Sequence, residues 1–153
     1  MRLRPHRTPV PEELVTLCID VEKEAPRGLT RKALLLEDRN DFQDVLRDYL
    51  VSYSYQVVSV DSGIDGLREI MNKGGFDLIL CDMMMPRMGG EMFYWAVTRV
   101  RPATRERFIF FTGHKNNPRI EFFFRRVNAK VLYKPFKLSA LDAAIRDVFR
   151  SVD

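Results

Sequence analysis

The pattern that most restricts the fold is an alternation of short apolar runs with amphipathic stretches, which begins near Arg31 and continues to the C-terminus. Three runs, at 34–36, 78–80 and 108–111, are apolar without a break. A strand is apolar on both sides only where both faces of its sheet are covered. Because strands that alternate with helices are joined by right-handed crossovers, the pattern predicts a parallel sheet with helices on both faces.

The alternation divides into strand and helix segments by hydrophobic period and by turn residues. The predicted strands are Ala33 to Glu37, Gln56 to Val60, Phe76 to Asp82, Phe108 to Thr112 and Val131 to Tyr133. The predicted helices are Asp41 to Tyr53, Gly63 to Asn72, Gly90 to Val100, Pro118 to Val127 and Leu138 to Phe149.

The first 30 residues differ from this pattern and are interpreted as an N-terminal tail and linker, with the folded domain at 31–153. Residues 1–10 have few apolar side chains with which to form a core. Residues 11–25 are predicted to form a short amphipathic helix, which ends at Pro26-Arg27-Gly28. Its apolar positions recur at helical spacing and are Leu14, Leu17, Cys18 and Val21.

Composition limits the cellular context. A chain of 153 residues, 46% of them hydrophobic, suits one compact domain. The net charge of +4 is spread along the chain, which argues against nucleic-acid binding. Two cysteines are too few for a disulfide framework, so we expect a reducing, cytoplasmic compartment. No apolar run reaches the length of a membrane span, and residues 1–5 lack the apolar core of a signal peptide, so we expect a soluble chain that is not exported.

Chemistry-bearing residues follow four of the five predicted strands. Glu37 and Asp38 end the first strand, Asp82 the third, Thr112 the fourth and Lys134 the fifth. Ligands of open parallel sheets bind beyond the carboxyl ends of the strands, so these side chains are predicted to converge.

The chemistry of this group indicates phosphoryl transfer. Three carboxylates at close range repel one another unless a hard cation such as Mg²⁺ binds between them. A lysine and a hydroxyl supply positive charge and a hydrogen-bond donor to a transferring phosphoryl group, and the remaining carboxylate can act as the nucleophile.

Each residue alone has a simpler interpretation. Asp38 could cap the helix that follows, Lys134 could be a solvated surface residue, and Thr112 could end a strand. Their joint placement at one sheet edge is what favours a functional site.

The motifs and their spacing resemble the receiver domain of response regulators over about Arg31 to Val152. The matching segments are the acidic pair Glu37-Asp38, Asp82-Met83-Met84-Met85-Pro86-Arg87-Met88-Gly89-Gly90, Phe111-Thr112-Gly113 and Lys134-Pro135-Phe136. The resemblance implies a flavodoxin-like (βα)5 doubly wound fold, whose five-stranded parallel sheet has the strand order 2-1-3-4-5. It also implies a cis peptide between Lys134 and Pro135.

The resemblance further implies a role for each residue. Asp82 would accept the phosphoryl group, and Asp38, Asp82 and the backbone carbonyl of Met84 would ligate Mg²⁺. Glu37 would act mainly through a metal-bound water. Thr112 and Lys134 would hold phosphoryl oxygens. The chain itself would be no enzyme beyond its own aspartyl phosphorylation and dephosphorylation.

Three positions are expected to modify this behaviour. Val131, three residues before Lys134, replaces the aromatic residue with which many receivers relay phosphorylation. Met84 is expected to slow hydrolysis of the acyl phosphate because it cannot orient water, and His114 could assist hydrolysis or face solvent. Met83 to Met85 and Trp95 are interpreted as packing residues.

The expected partner is a histidine kinase or a histidine phosphotransfer domain. The segments most similar to receivers attached to hybrid histidine kinases are Arg99-Val100-Arg101-Pro102, Phe111-Thr112-Gly113 and Val131-Leu132-Tyr133-Lys134-Pro135-Phe136. The chain could therefore be a stand-alone receiver or part of such a kinase. A homodimer could form through the face between the fourth and fifth helices, where Phe122 is predicted to be exposed, or through the N-terminal helix.

Three other functions share parts of this pattern. A haloacid dehalogenase-type phosphatase needs a second aspartate two residues after the nucleophile, and here that residue is Met84. A flavodoxin-like cofactor binder needs a phosphate loop after the first strand, where the acidic segment from Glu37 to Asp41 would repel phosphate. The third is a protein-interaction module that is never phosphorylated, against which the complete set of site residues argues.

Overall fold

The computed structural model describes residues 30–152, so the helix predicted at about 11–25 lies outside the described residues. The strands are β1 Lys32–Leu36, β2 Gln56–Val60, β3 Leu78–Asp82, β4 Phe108–Thr112 and β5 Val131–Tyr133. The helices are α1 Asn40–Ser52, α2 Gly63–Lys73, α3 Gly90–Val100, α4 Pro118–Val127 and α5 Leu138–Val152, and a 3₁₀ helix at Pro102–Arg107 precedes β4.

The five strands form one parallel sheet in the order β2-β1-β3-β4-β5, which confirms the predicted topology. The direction in which strands are added reverses between β1 and β3. The second strand, β2, pairs with one side of β1, and the chain then crosses β1 to place β3 on its opposite side. The register aligns Leu36 with Cys81 and Asp82 with Phe111, so these strands end at nearly the same level. A crevice opens beyond the carboxyl ends of strands at such a reversal.

Two apolar layers, one on each face of the sheet, form the core. On one face, α1 and α5 cover the sheet with Leu46, Leu50, Leu141 and Val148. On the other face, α2, α3 and α4 contribute Ile70, Phe93, Val97, Ile120 and Phe123. The strand side chains alternate between the two layers, as residues on a pleated strand must. Leu34 and Leu36 point to the second layer, and Ala33 and Leu35 to the first.

Local sequence signals account for several helix ends. The side chain of Ser62 caps α2 by accepting a hydrogen bond from the amide of Asp65. Asn117 caps α4 in the same way, and Pro118 occupies the first turn, where its missing N–H costs nothing. Helix α4 ends at Val127 and is followed by Asn128, whose left-handed backbone (φ 51°) is a conformation that asparagine tolerates well.

Three expectations about local structure were wrong. The 3₁₀ helix at Pro102–Arg107 was not predicted, because a single short turn carries no hydrophobic period. Trp95 and Met84 were expected to be packing residues, yet Trp95 is 41% exposed and Met84 is 53% exposed. Phe122, predicted to be exposed, is 62% exposed. Cys81 is completely buried.

Among residues 30–152, no helix combines the length and the apolar character that crossing a membrane requires.

Candidate functional site

The carboxyl edge of the sheet brings the predicted site residues together. Glu37 directly follows β1, Asp82 and Thr112 are the last residues of β3 and β4, and Lys134 directly follows β5. Asp38, the next residue after Glu37, is exposed at the rim of the crevice. The convergence follows from the parallel sheet, in which four strands end side by side.

The three carboxylates form a compact cluster. One oxygen from each of Glu37, Asp38 and Asp82 lies within 4.8 Å of the other two. Glu37 is completely buried and Asp82 is 5% exposed, so water screens their repulsion only weakly. A cluster of carboxylate oxygens at this range suits a hard divalent cation such as Mg²⁺.

Among residues 30–152, Lys134 is the cation that forms ion pairs with this cluster. Its Nζ donates a hydrogen bond to Oε2 of Glu37 at 2.8 Å and lies 3.5 Å from Oδ2 of Asp82. The rings of Phe42 and Phe111 flank the ammonium group, with centroids 4.7 Å and 5.3 Å away. These contacts fix the ammonium group between two carboxylates.

Burial dominates the titration of the two inner carboxyl groups. Loss of solvation and then the charge of Asp82 raise the pKa of Glu37 to about 7, against the opposing effects of Lys134 and of a hydrogen bond from the Arg39 amide. Burial likewise raises the pKa of Asp82, although Lys134 and a backbone hydrogen bond from Met84 oppose the rise. Without a metal ion, the site therefore disfavours full ionisation.

Thr112 and His114 lie on the loop that begins at the end of β4. The Thr112 side chain is buried, and its Oγ1 accepts a hydrogen bond from the amide of His114 at 3.0 Å. The hydroxyl hydrogen of Thr112 is therefore not used in that contact and can be donated to a ligand oxygen. His114 itself is exposed.

Two further predicted features can be located. The peptide between Lys134 and Pro135 is cis, as the resemblance implied. Val131 is partly buried and packs against the apolar layer that contains Phe123 and Phe124.

Sequence reasoning missed a buried glutamine that supports the site. Nε2 of Gln43, on α1, donates to the backbone oxygens of Glu37 at 2.9 Å and of Val60 at 3.2 Å. It thereby ties the chain after β1 to the end of β2. The available signal was a polar residue at the same helical face as the buried Leu46 and Leu50.

It also missed an arginine that holds the loop after Asp82. Nη2 of Arg87 donates to Oδ2 of Asp65 at 2.7 Å and to Oγ of Ser62 at 2.9 Å, both at the start of α2. In the same region, the amide of Gly63 donates to the backbone oxygen of Met88 at 3.0 Å. No local signal reveals these contacts, because the partners lie 22 and 25 residues away.

Comparison with known proteins identifies the family of this chain. The model of the response regulator receiver domain matches residues 33–146. The chain belongs to the response regulator receiver family. The matched span contains every residue of the site at the sheet edge.

Curated relatives of this receiver domain differ in how much of their own length the match covers. A probable chemotaxis protein CheY of Rhizobium etli is 31% identical over 120 residues, which are 77% of this chain and 92% of that protein. The transcriptional regulatory protein PcoR of Escherichia coli is 30% identical over 121 residues, 78% of this chain. The receiver domain spans only 52% of PcoR and 25% of the regulatory protein GlrR.

Solved structures have the same fold as this receiver domain. The chemotaxis protein CheY4 of Vibrio cholerae matches with a TM-score of 0.69 and 25% identity, over 78% of this chain and 99% of that chain. A signal receiver domain of an HD domain-containing protein from Pseudomonas fluorescens matches with a TM-score of 0.71 at 18% identity. The match covers 80% of this chain and 97% of that chain, and at this low identity it supports a shared fold and no more.

Proposed function

We propose that this receiver domain accepts a phosphoryl group on Asp82 in a two-component phosphorelay, with Mg²⁺ as cofactor. The observation that carries the proposal is the cluster of three carboxylates within 4.8 Å, two of which Lys134 contacts. An acidic cluster with one fixed ammonium group suits a metal ion and a phosphoryl group together.

The proposed donor is a phosphohistidine on a histidine kinase or a histidine phosphotransfer domain. An Oδ of Asp82 attacks the phosphorus atom while the bond between phosphorus and the imidazole nitrogen breaks. The imidazole leaves and takes a proton from solvent, and Asp82 becomes an acyl phosphate. Asp82 is the last residue of β3 and so lies at the carboxyl edge of the sheet, where the crevice opens, which supports access by a docked partner.

The metal ligands in this proposal are the carboxylates of Asp38 and Asp82 and the backbone carbonyl of Met84, with Glu37 acting through a metal-bound water. A bound Mg²⁺ supplies positive charge next to the phosphoryl oxygens. The raised pKa values of Glu37 and Asp82 fit this assignment, because a nearby cation stabilises the ionised form of both carboxyl groups.

Lys134 and Thr112 are proposed to bind the phosphoryl oxygens. When Asp82 is phosphorylated, negative charge moves from its carboxylate to the phosphoryl oxygens. The ammonium group of Lys134, which lies 3.5 Å from Oδ2 of Asp82, then contacts a phosphoryl oxygen. Thr112 donates the hydroxyl hydrogen that its contact with the His114 amide leaves available. Both are charge-stabilising roles of the kind that phosphoryl transfer requires.

Met84, His114 and Val131 are proposed to set the lifetime of the acyl phosphate and the output. The exposed thioether of Met84 cannot orient a water for attack, which favours slow hydrolysis. His114 is exposed on the loop after Thr112, where it can contact an incoming water. Val131 cannot act as an aromatic relay, so the output is transmitted by other residues.

We also propose a cytoplasmic setting and a parent protein that is either a stand-alone receiver or a hybrid histidine kinase.

A homodimer through α4, β5 and α5 is supported by the 62% exposure of Phe122 on α4. The N-terminal helix at about 11–25 is the alternative dimer element.

Intact mass after treatment with phosphoramidate tests the proposed chemistry. With Mg²⁺ present, we expect a mass increase of one phosphoryl group, which EDTA and the variant Asp82→Asn abolish. The matched control is Asp44→Asn, which changes an exposed aspartate on α1 and leaves the adduct unchanged. An absent adduct, together with no binding of beryllofluoride, would contradict the proposal and favour an interaction module that is never phosphorylated.

A further inference from the structure

We propose that residues 11–25 dock within their own chain onto an arginine-rich surface at the opposite edge of the sheet. That surface, the arginine edge, consists of Arg99, Arg101, Arg105 and Arg107 with the cavity beside them. It lies at the amino ends of the strands, so the proposal is independent of phosphorylation at Asp82.

The arginine edge carries a concentration of positive charge. Four arginines lie within the nine residues 99–107, where the single acid is Glu106. Arg99, Arg101 and Arg105 are exposed, and Arg107 is half-buried where its Nη1 donates to the backbone oxygen of Asp77 at 3.3 Å. Within residues 30–152, none of the four arginines forms an ion pair with a carboxylate. Like charges that no carboxylate neutralises repel one another, so an acidic partner is favoured here.

Apolar surface lies next to this charge. A cavity of about 270 Å³ is lined by Ile70, Phe76 and Ala103 together with Arg101 and Arg107. Asp77 is the one acid in this lining, and its carboxylate accepts a hydrogen bond from the amide of Lys32. Two large apolar side chains adjoin these residues in the sequence and are largely exposed, namely Met71 at 53% and Val100 at 51%. An occupant must therefore offer aliphatic side chains and negative charge together.

Residues 11–25 have that combination. The segment contains five acids and a single base, Lys23, and the acids are Glu12, Glu13, Asp20, Glu22 and Glu24. Three of the acids, Glu13, Asp20 and Glu24, recur at helical spacing and so lie along one side of the predicted helix, beside its apolar face. A helix of this kind can insert aliphatic side chains into the cavity while its carboxylates meet the arginines.

The point at which the chain enters the sheet brings the segment to this surface. The amide of Lys32 donates to Oδ2 of Asp77 at 2.9 Å, and the amide of Asp77 donates to the backbone oxygen of Lys32 at 2.8 Å. Nζ of Lys32 lies 5.4 Å from the centroid of the Phe76 ring. Asp77 and Phe76 both line the cavity, so β1 begins at its wall.

The short connection limits where the segment can go. Only residues 26–29 separate it from Thr30, and an extended chain spans about 3.5 Å per residue, which keeps Ala25 within about 18 Å of Thr30. Asp82 lies a whole strand away at the other edge of the sheet. A short tether gives the segment an effective concentration on the order of millimolar at the arginine edge, so weak ion pairs suffice for docking.

The reactivity of Cys18 in the full chain tests the docking. Cys18 belongs to the apolar face of the segment, and the other cysteine, Cys81, is completely buried with a raised pKa. We expect Cys18 to react with a disulfide reagent about tenfold more slowly in the wild type than in the double variant Arg101→Glu, Arg105→Glu. Cys81 stays unreactive in every variant that is folded, which separates loss of docking from loss of the fold.

Charge exchange makes the test specific. The variant Asp20→Lys, Glu24→Lys is also expected to react faster, and combining it with the arginine reversals restores slow modification. The matched control is Arg125→Glu, Arg126→Glu, which changes the net charge equally on α4 and leaves the rate unchanged. Equal rates in the wild type and in the arginine reversals overturn the proposal. Protection that appears only at high protein concentration also overturns it, because the occupant is then a second copy.

Discussion

The ammonium group of Lys134 lies 2.8 Å from Oε2 of Glu37, a carboxylate with no exposed surface. The same ammonium group lies 3.5 Å from Oδ2 of Asp82, so one cation serves two buried carboxylates. Neither carboxylate can be ionised there at low cost without it. The electrostatic balance of the site therefore depends on Lys134, on Mg²⁺ and on pH together.

The variant Lys134→Met should reduce the free energy of unfolding more at pH 8 than at pH 5.5. At pH 8 it leaves Glu37 buried with an unpaired charge, at a cost of about 3 kcal/mol, whereas at pH 5.5 Glu37 binds a proton and the cost is smaller. Urea denaturation in EDTA at the two pH values measures the difference. The matched control is Lys137→Met at an exposed position, and an equal loss at both pH values would contradict the prediction.

Stability of the metal-free domain should decrease as pH rises from about 4.5 to about 7. The folded-state pKa of Glu37 is about 7 and its ordinary value is 4.5, so in this window the folded state retains a proton that the unfolded state has lost. Stability falls with pH wherever the folded state binds more protons. The raised pKa of Asp82 also makes stability fall as pH rises. The lowered pKa values of Asp41 and Asp65 have the opposite effect on stability, but only below their ordinary value of 3.8 and so outside this pH window.

Urea denaturation from pH 5 to pH 8 measures this dependence. We expect Glu37→Gln to flatten the curve and saturating Mg²⁺ to raise stability most at pH 8, where the carboxylates are ionised. A wild-type curve that rises between pH 5 and pH 7 in EDTA would show that the assigned pKa direction is wrong.

Arg87→Gln should weaken Mg²⁺ binding about threefold. Arg87 joins the loop after Asp82 to Asp65 and Ser62, and that loop contains the Met84 carbonyl proposed as a ligand. The contact is partly exposed, so its loss is worth less than about 1 kcal/mol. Isothermal titration with Mg²⁺ measures the change. Arg68→Gln is the matched control, because Arg68 also pairs with Asp65, at 3.4 Å, but from within α2. Equal affinities of the two variants would contradict the positioning role.

Gly66→Ala should destabilise the fold by about 1–3 kcal/mol. A Cβ at Gly66 would lie 2.6 Å from Cδ2 of Leu36 and 3.1 Å from Cε2 of Phe93, so the close contact of α2 with β1 and α3 would have to open. Gly113→Ala is the control, since a Cβ there meets nothing within 4 Å. Thermal or urea denaturation of both variants checks the prediction, and equal stability of the two would refute the packing argument.

Much of the fold was predictable because its signals are local. The bounds of β2, β4 and β5 were predicted to the residue, since each is a short apolar or β-branched run with a turn on either side. The start of β3 was placed two residues early, at Phe76 instead of Leu78. Asp77 cannot be assigned from its own sequence context, because its carboxylate accepts a hydrogen bond from Lys32, 45 residues away.

The convergence of the site was also predictable, but its supporting contacts were not. The parallel sheet alone brings the ends of β1, β3, β4 and β5 to one edge, so the neighbourhood of Asp82 and Lys134 follows from topology. The contacts of Gln43 and Arg87 depend on how helices and loops pack in three dimensions. The exposure of Trp95 was missed for a related reason, because its ring packs on Phe123 while its outer surface faces solvent.

Borohydride mapping of the phosphorylated residue tests the central claim most directly. An aspartyl acyl phosphate is reduced by borohydride to homoserine, which releases phosphate, whereas a free carboxylate is not reduced. After treatment with phosphoramidate and Mg²⁺, tandem mass spectrometry is predicted to find homoserine at position 82 alone, and none when EDTA replaces Mg²⁺. Homoserine at position 37 or 38, or at no position, would contradict the assignment of Asp82 as the phosphoacceptor.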